Sequence, residues 1–154
     1  MNIIIRSVEE KDFPQIIGLI KELASFENAE KEVMNTVEQM QEEKDFFNCF
    51  VAETKDNEIV GMALYYFVYY TWVGKSLYLD DLYVKQSVRG NKIGSKLLQE
   101  LFDVAKTENC KRVRWQVLGW NEPAVKLYEK TGAKLDSEWY NCDFDIKAIQ
   151  EVTI

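Results

Sequence analysis

The 154-residue sequence contains no histidine. That absence removes the side chain that most often acts as a general base near neutral pH, so proton transfer would fall to carboxylates, tyrosines or ordered water. Cysteine is nearly as scarce. Cys49, Cys110 and Cys142 are too few and too scattered for a disulfide framework, and no Cys-x-x-Cys or Cys/His metal spacing occurs. A reducing compartment and no metal are therefore expected. Only two prolines and seven glycines accompany 13% aromatic and 47% hydrophobic content. This excludes a disordered or linker-like chain and supplies the core of one domain, expected to span residues 1–154. No apolar run is long enough to cross a bilayer, which needs about 20 residues. The longest, residues 59–70, is interrupted by Gly61. The first residues, through Arg6, show no leader pattern, which makes the cytoplasm the expected location. Positive charge is also short, with 19 Lys and Arg against 26 Asp and Glu and a net charge of −7. A nucleic-acid partner is excluded on that balance, and a small cationic molecule suits it better.

What is present is clear periodicity. Residues 2–8 read as a strand, and Phe13, Ile16, Ile17, Ile20 and Leu23 recur at helical spacing behind Asp12 and Pro14. A second, more polar helix starts near Asn35 or Thr36 and turns Val37 and Met40 inward. Runs at 47–53, 59–70 and 77–84, rich in Val, Ile, Phe and Tyr, predict consecutive antiparallel strands. A helix over 94–106 carries Leu97, Leu98, Leu101 and Ala105 on one face, and a strand follows at 112–118. Residues 121–131 form a helix capped by Asn121, with Pro123 in its first turn and Gly132 closing it. A final strand or hairpin is expected over 135–146. The order β-α-α-β-β-β-α-β-α-β defines an α+β fold with a mixed, mainly antiparallel central sheet flanked by helices.

Where the strand at 77–84 hands over to a helix, the chain reads Arg89-Gly90-Asn91-Lys92-Ile93-Gly94-Ser95. A glycine-containing turn at a helix start presents unpaired backbone N–H groups and the positive end of the helix dipole, an anion site to which Arg89 and Lys92 add charge. The spacing is neither G-x-G-x-x-G nor G-x-x-x-x-G-K-[ST]. Downstream stands Trp120-Asn121-Glu122-Pro123-Ala124-Val125-Lys126-Leu127-Tyr128-Glu129-Lys130-Thr131-Gly132. Together the two segments resemble the GNAT acetyltransferase superfamily, and the second matches its Asn-x-x-Ala-x-x-Leu-Tyr-x-x-x-Gly pattern at every position. Tyr65-Tyr66-Phe67, Trp72-x-Gly74-Lys75, Tyr78-Leu79-Asp80-Asp81 and the first helix through Phe26-Glu27 extend the likeness. Over nearly the whole chain it resembles the spermidine/spermine (diamine) N-acetyltransferase family and its thialysine-acetylating branch.

The resemblance implies an acetyl-CoA-dependent enzyme that acetylates a primary amine of a small cationic acceptor by direct attack. A polyamine, a diamine or a lysine-like amine such as thialysine would serve. The alternative is a non-catalytic acyl-CoA sensor or interaction domain of the same fold. Backbone groups of Leu82, Tyr83 and Val84 would pair with the pantetheine arm, and Gly90, Asn91, Lys92, Ile93, Gly94 and Ser95 would hold the pyrophosphate beside Arg89. Asn121 would contact the pantetheine or cap its helix. Splaying of the strands at 77–84 and 112–118 would admit the arm. The resemblance gives Tyr128 the role of proton donor to the leaving thiolate, and puts the substrate-amine carboxylate at Asp80 with a second acid at Asp81. A regular strand would send Asp80 and Asp81 to opposite faces, and only a bulge would turn both to one cleft. Phe26, Glu27 and Glu138 match positions lining the amine site, and a homodimer with C-terminal strands at its interface is implied. Two departures stand out: Lys92 sits where the family has its first motif glycine, and residues 134–139 are shorter than in those relatives. Trp72 and the tyrosines at 65, 66, 69 and 70 could meet substrate through cation–π attraction or belong to the core or a dimer interface.

Overall fold

A computed structural model describes residues 2–154, whose contacts gather into two compact units, Met1–Gln116 and Val117–Ile154. The first unit holds β1 (Ile3–Ser7), α1 (Phe13–Phe26), α2 (Val37–Glu42), β2 (Asn48–Thr54), β3 (Ile59–Tyr70), β4 (Gly74–Val84), α3 (Ile93–Thr107) and β5 (Val113–Arg114). Its five strands lie in sequence order, antiparallel from β1 to β4, with β5 parallel to β4. Alternation along the strands divides the apolar side chains between two faces. On one, Cys49, Val51, Ile59, Met62 and Tyr83 meet Phe13, Ile16, Ile17 and Leu19 of α1 and Met40 of α2. On the other, Phe50, Ala52, Val60, Ala63, Tyr65, Leu77 and Leu79 meet Ile93, Leu97, Leu101 and Ala105 of α3. Each fully buried Ile or Leu among them contributes about 1.5–3 kcal/mol, which is what clamps both helices to the sheet.

Polar groups fix the corner where β1 enters α1. Arg6 bonds both oxygens of Glu53 at 2.8 and 2.9 Å and both oxygens of Asp12 at 2.7 and 3.0 Å. Asp12 also accepts the Glu9 N–H at 2.8 Å. It therefore holds the turn before α1 rather than capping α1 with its side chain, while Pro14 occupies the first turn as the sequence predicts. Thr36 does cap α2, accepting from the Gln39 N–H at 3.1 Å.

The strand expected at 112–118 is confined to Val113–Arg114. β5 pairs β4 only at Leu77↔Val113 and Tyr78↔Arg114, and β4 bulges immediately beyond, where a parallel neighbour cannot follow the kink.

The second unit contains α4 (Glu122–Lys130) and α5 (Ile146–Glu151). Asn121 stands at the N-cap position of α4 but its side chain makes no capping bond, and Gly132, at φ +96°, ends the helix as expected. The strand or hairpin expected over 135–146 is absent. Asp136 bends the chain by accepting the Glu138 N–H at 2.9 Å, and Asp145 caps α5 by accepting the Ala148 N–H at 2.8 Å. Trp139, Tyr140 and Phe144 stay exposed. Aromatic content alone does not make a strand without a ladder partner.

Candidate functional site

The bulge in β4 organises the acidic site. Leu64 faces Asp81 and Tyr65 faces Leu79, so Asp80 is the extra residue. The consequence is a change of parity: Leu77 and Leu79 pack towards α3 before the bulge, and Leu82 and Val84 pack there after it. Tyr78, Asp80, Asp81 and Tyr83 are thereby turned to the α1 face, and both aspartates share one side of the sheet. The Tyr66 phenol donates to Asp80 Oδ1 at 3.1 Å and stacks on Tyr78 with centroids 5.5 Å apart. Burial, then the charge of Asp80, raise the Tyr66 pKa, so this phenol stays a donor.

Asp81 is half-buried, and its carboxyl is pushed up to about 7, first by burial and then by the charges of Asp80 and Glu27. Glu27, just past the end of α1, is also raised by burial. The structure thus brings Glu27, Asp80 and Asp81 together, and Asp81 is the one whose proton affinity suits exchange near neutral pH. Phe26, beside Glu27, lies under the Arg89 guanidinium at 5.7 Å. The same guanidinium is 5.7 Å from the Tyr83 ring, and its Nε donates to the Val84 C=O at 3.0 Å.

The outer edge of β4 has no strand partner beyond Tyr78 among the described residues. Because the Lys85 N–H donates to the Val60 C=O at 2.9 Å, alternation commits Asp81 and Tyr83 to the β3 ladder and turns the N–H and C=O of Leu82 and Val84 outward. Tyr83, expected to offer its backbone with them, is spent on β3 instead, and its phenol donates to Glu22 at 3.1 Å. Leu82 and Val84 therefore present the polar edge on which an extended amide-bearing chain can add like a strand.

This edge leads into the turn before α3. Gly90 has φ +87° and Lys92 φ +59°, a left-handed position that glycine occupies without strain and lysine does not. The Asn91 amide fixes the turn by donating to the Val88 C=O at 2.9 Å. The first helical bond runs from the Lys96 N–H to the Lys92 C=O, so the N–H groups of Ile93, Gly94 and Ser95 form the positive end of α3. That donor set, with the exposed Lys92, fits a pyrophosphate.

In the second unit, Tyr128 on α4 is half-buried and burial raises its phenol pKa, which keeps the hydroxyl protonated across the neutral range. Glu138 is exposed in the bend after Asp136. Of the tyrosines noted in the sequence, Tyr65 is core, stacked on Phe50 at 5.6 Å, whereas Tyr69 and Trp72 are exposed. The bonding of Tyr66 to Asp80 was missed by sequence reasoning, although one signal existed: the apolar pattern Leu77-x-Leu79-x-x-Leu82-x-Val84 breaks alternation at the two aspartates. Among the described residues no group of Cys, Asp and Glu is arranged to hold a metal, and no helix is long and apolar enough to cross a membrane.

The sequence matches the acetyltransferase (GNAT) family over residues 13–133. The chain belongs to that family. Thialysine N-epsilon-acetyltransferase of Sus scrofa is 36% identical over 98% of this chain and 97% of its own length. Spermidine/spermine N(1)-acetyltransferase-like protein 1 of Homo sapiens is 37% identical over 84% of this chain, a match covering 20% of that longer protein. Among solved structures, a predicted acetyltransferase of Clostridium acetobutylicum with acetyl-CoA superposes with a TM-score of 0.76 at 21% identity, covering 92% of this chain and 96% of that one. The chain is an acetyl-CoA-dependent N-acetyltransferase of the diamine and thialysine branch.

Proposed function

We propose that the enzyme acetylates the primary amine of a small cationic acceptor, a polyamine, a diamine or a lysine-like amine such as thialysine, at the Asp80–Asp81 bulge. The observation that carries this reading is the shared face of the two aspartates with Glu27, where Asp81 has a carboxyl pKa of about 7. A primary amine titrates near 10.4, so nearly all of it enters as ammonium. Asp80, held by Tyr66, attracts that cation, and Glu27, Phe26 and Glu138 belong to the same acceptor site by family likeness. Asp81 takes the proton. The freed nitrogen then attacks the acetyl carbon directly, the carbon–sulfur bond breaks, and Tyr128 gives its phenolic proton to the departing sulfur before regaining one from solvent.

Acetyl-CoA supplies the acetyl thioester. The outward amides of Leu82 and Val84 would hold its pantetheine arm, and the turn from Arg89 and Gly90 to Ser95 its pyrophosphate, with Asn121 beside the arm. In this reading Arg89 must leave the Val84 carbonyl, which it occupies in the structure. The family match runs across both compact units and supports a single acetyltransferase domain over residues 1–154. A cytoplasmic homodimer completes the reading, and the exposed Trp139, Tyr140, Phe144, Ile146 and Ile149 support a subunit contact in the second unit.

The test is CoA release from acetyl-CoA against spermidine, spermine, short diamines, lysine and thialysine between pH 6 and pH 9. Turnover with an amine whose kcat/KM rises through about pH 7 is expected, with that inflection lost in Asp81→Asn. Binding of acetyl-CoA with no CoA release for any amine would overturn the reading.

A further inference from the structure

The outward N–H and C=O groups of Leu82 and Val84 must find a partner or water, and the chain itself covers one of them. Arg89, five residues on, donates its Nε to the Val84 C=O at 3.0 Å. Its guanidinium carbon lies 5.7 Å from the centroids of two rings, Phe26 at the end of α1 and Tyr83 on β4. Tyr83 is buried and fixed by its bond to Glu22 at 3.1 Å, so this side of the seat is firm. Arg89 thus reaches from the open edge of β4 to the end of α1 as a strap. The strap is weakly held. Arg89 is exposed and pairs with no carboxylate among the described residues. A guanidinium fork has five N–H donors suited to an anion, and its bonded partner here is one neutral carbonyl. The pyrophosphate cradle at Ile93, Gly94 and Ser95 begins against the same residue that Arg89 covers. Val84 packs in one cluster with Ile93, and a Cβ on Gly94 would meet Val84 Cγ2 at 3.8 Å.

We propose that Arg89 determines the acyl donor: it closes the β4 edge to pantetheine thioesters that lack a pyrophosphate, and gives up Val84 for the phosphates of acetyl-CoA. The proposal rests on the reading above that the pantetheine arm adds to this edge. A pantetheine without phosphates must displace Arg89 and offers the displaced guanidinium nothing. Its apparent affinity is therefore reduced to the fraction of molecules in which the strap is open. With CoA, Arg89 exchanges a neutral carbonyl for charged oxygens, and charge-assisted bonds are roughly twice as strong as neutral ones. One side chain thus discriminates twice, by obstructing the wrong donor and by gripping the right one.

Calorimetric titration of the protein, without an amine, with pantetheine, dephospho-CoA and CoA tests this. Dephospho-CoA keeps the pyrophosphate, so it isolates the group that matters. In Arg89→Ala, pantetheine should bind about 3- to 10-fold more tightly, the value of one neutral hydrogen bond with its ring contacts. The ratio of dephospho-CoA to pantetheine affinity should fall about tenfold or more, the value of a charged contact. Phe26→Leu loosens the seat of the strap and leaves the cradle alone, so it should tighten pantetheine and CoA alike by about 2- to 5-fold. A misfolded variant cannot imitate these gains. In turnover, kcat/KM for S-acetyl-pantetheine should rise against that for acetyl-CoA in Arg89→Ala. Unchanged pantetheine affinity in Arg89→Ala would make Arg89 a phosphate contact alone, and weaker binding of all three ligands would make it a support of the strand edge. Either result overturns the proposal and leaves amine acetylation at the bulge standing. No binding of CoA or pantetheine to the wild-type protein overturns the placing of the arm on β4 as well.

Discussion

Replacing Asp81 with asparagine should make the protein more stable while making it a poorer enzyme. The Asp81 carboxyl is raised from an ordinary 3.8 to about 7, so the folded protein disfavours the ionised form. At about 1.4 kcal/mol per tenfold change in proton affinity, ionised Asp81 costs the native state up to about 4 kcal/mol. A raised folded pKa means that stability is fully present below the ordinary carboxylate range and is lost as pH rises to about 7. Above that the loss is complete and constant. Asparagine keeps the shape and stays neutral, so the variant should gain about 2–4 kcal/mol at pH 8, with that gain roughly halved at pH 5.5. Urea unfolding of both proteins at the two pH values, without ligands, measures it. A gain that does not depend on pH, or a variant less stable than wild type at pH 8, would refute the argument. The same substitution removes the proposed proton acceptor, so kcat/KM for the best amine should fall about 100-fold or more.

Tyr128→Phe should lower kcat about 100-fold with acetyl-CoA affinity unchanged, and full turnover by stopped assay of CoA release would remove Tyr128 from the chemistry. Lys92→Gly relieves a left-handed lysine at φ +59°, and should raise stability by about 0.5–1 kcal/mol, read as a melting temperature about 1–4 °C higher. If acetyl-CoA binding by calorimetry also weakens, Lys92 serves the phosphates. Arg6→Ala leaves Asp12, 2% exposed, without its cation, and should cost about 3 kcal/mol in denaturant unfolding without altering amine preference. The hydrogen bonds from Arg6 lower the Asp12 and Glu53 carboxyls, so the stability they contribute is present at neutral pH and lost as pH falls through those lowered values. The variant should accordingly show a shallower acid limb.

The sequence by itself determined the order of elements through α4, because each is marked by local chemistry. Helical spacing in Ile16, Ile17 and Leu97, Leu101, β-branched runs in β2 and β3, and the glycine turn at Gly90 all act over a few residues. Family membership and the anion-binding turn were legible for the same reason: their motifs are contiguous. It misread residues 135–146, since aromatic content favours a strand only when a neighbouring edge supplies the ladder, and Asp136 and Asp145 spend their side chains on turn and cap bonds. Which way Asp80 and Asp81 face was beyond it, because facing is a property of register. The extra residue at Asp80 rotates both acids to the α1 face, and burial beside Asp80 and Glu27 then raises Asp81. Likewise only the parallel pairing of β5 with Tyr78 sets Arg112 and Arg114 beside Tyr70. Local sequence fixes which elements form, whereas long-range strand pairing decides which charges meet, and the chemistry depends on the second.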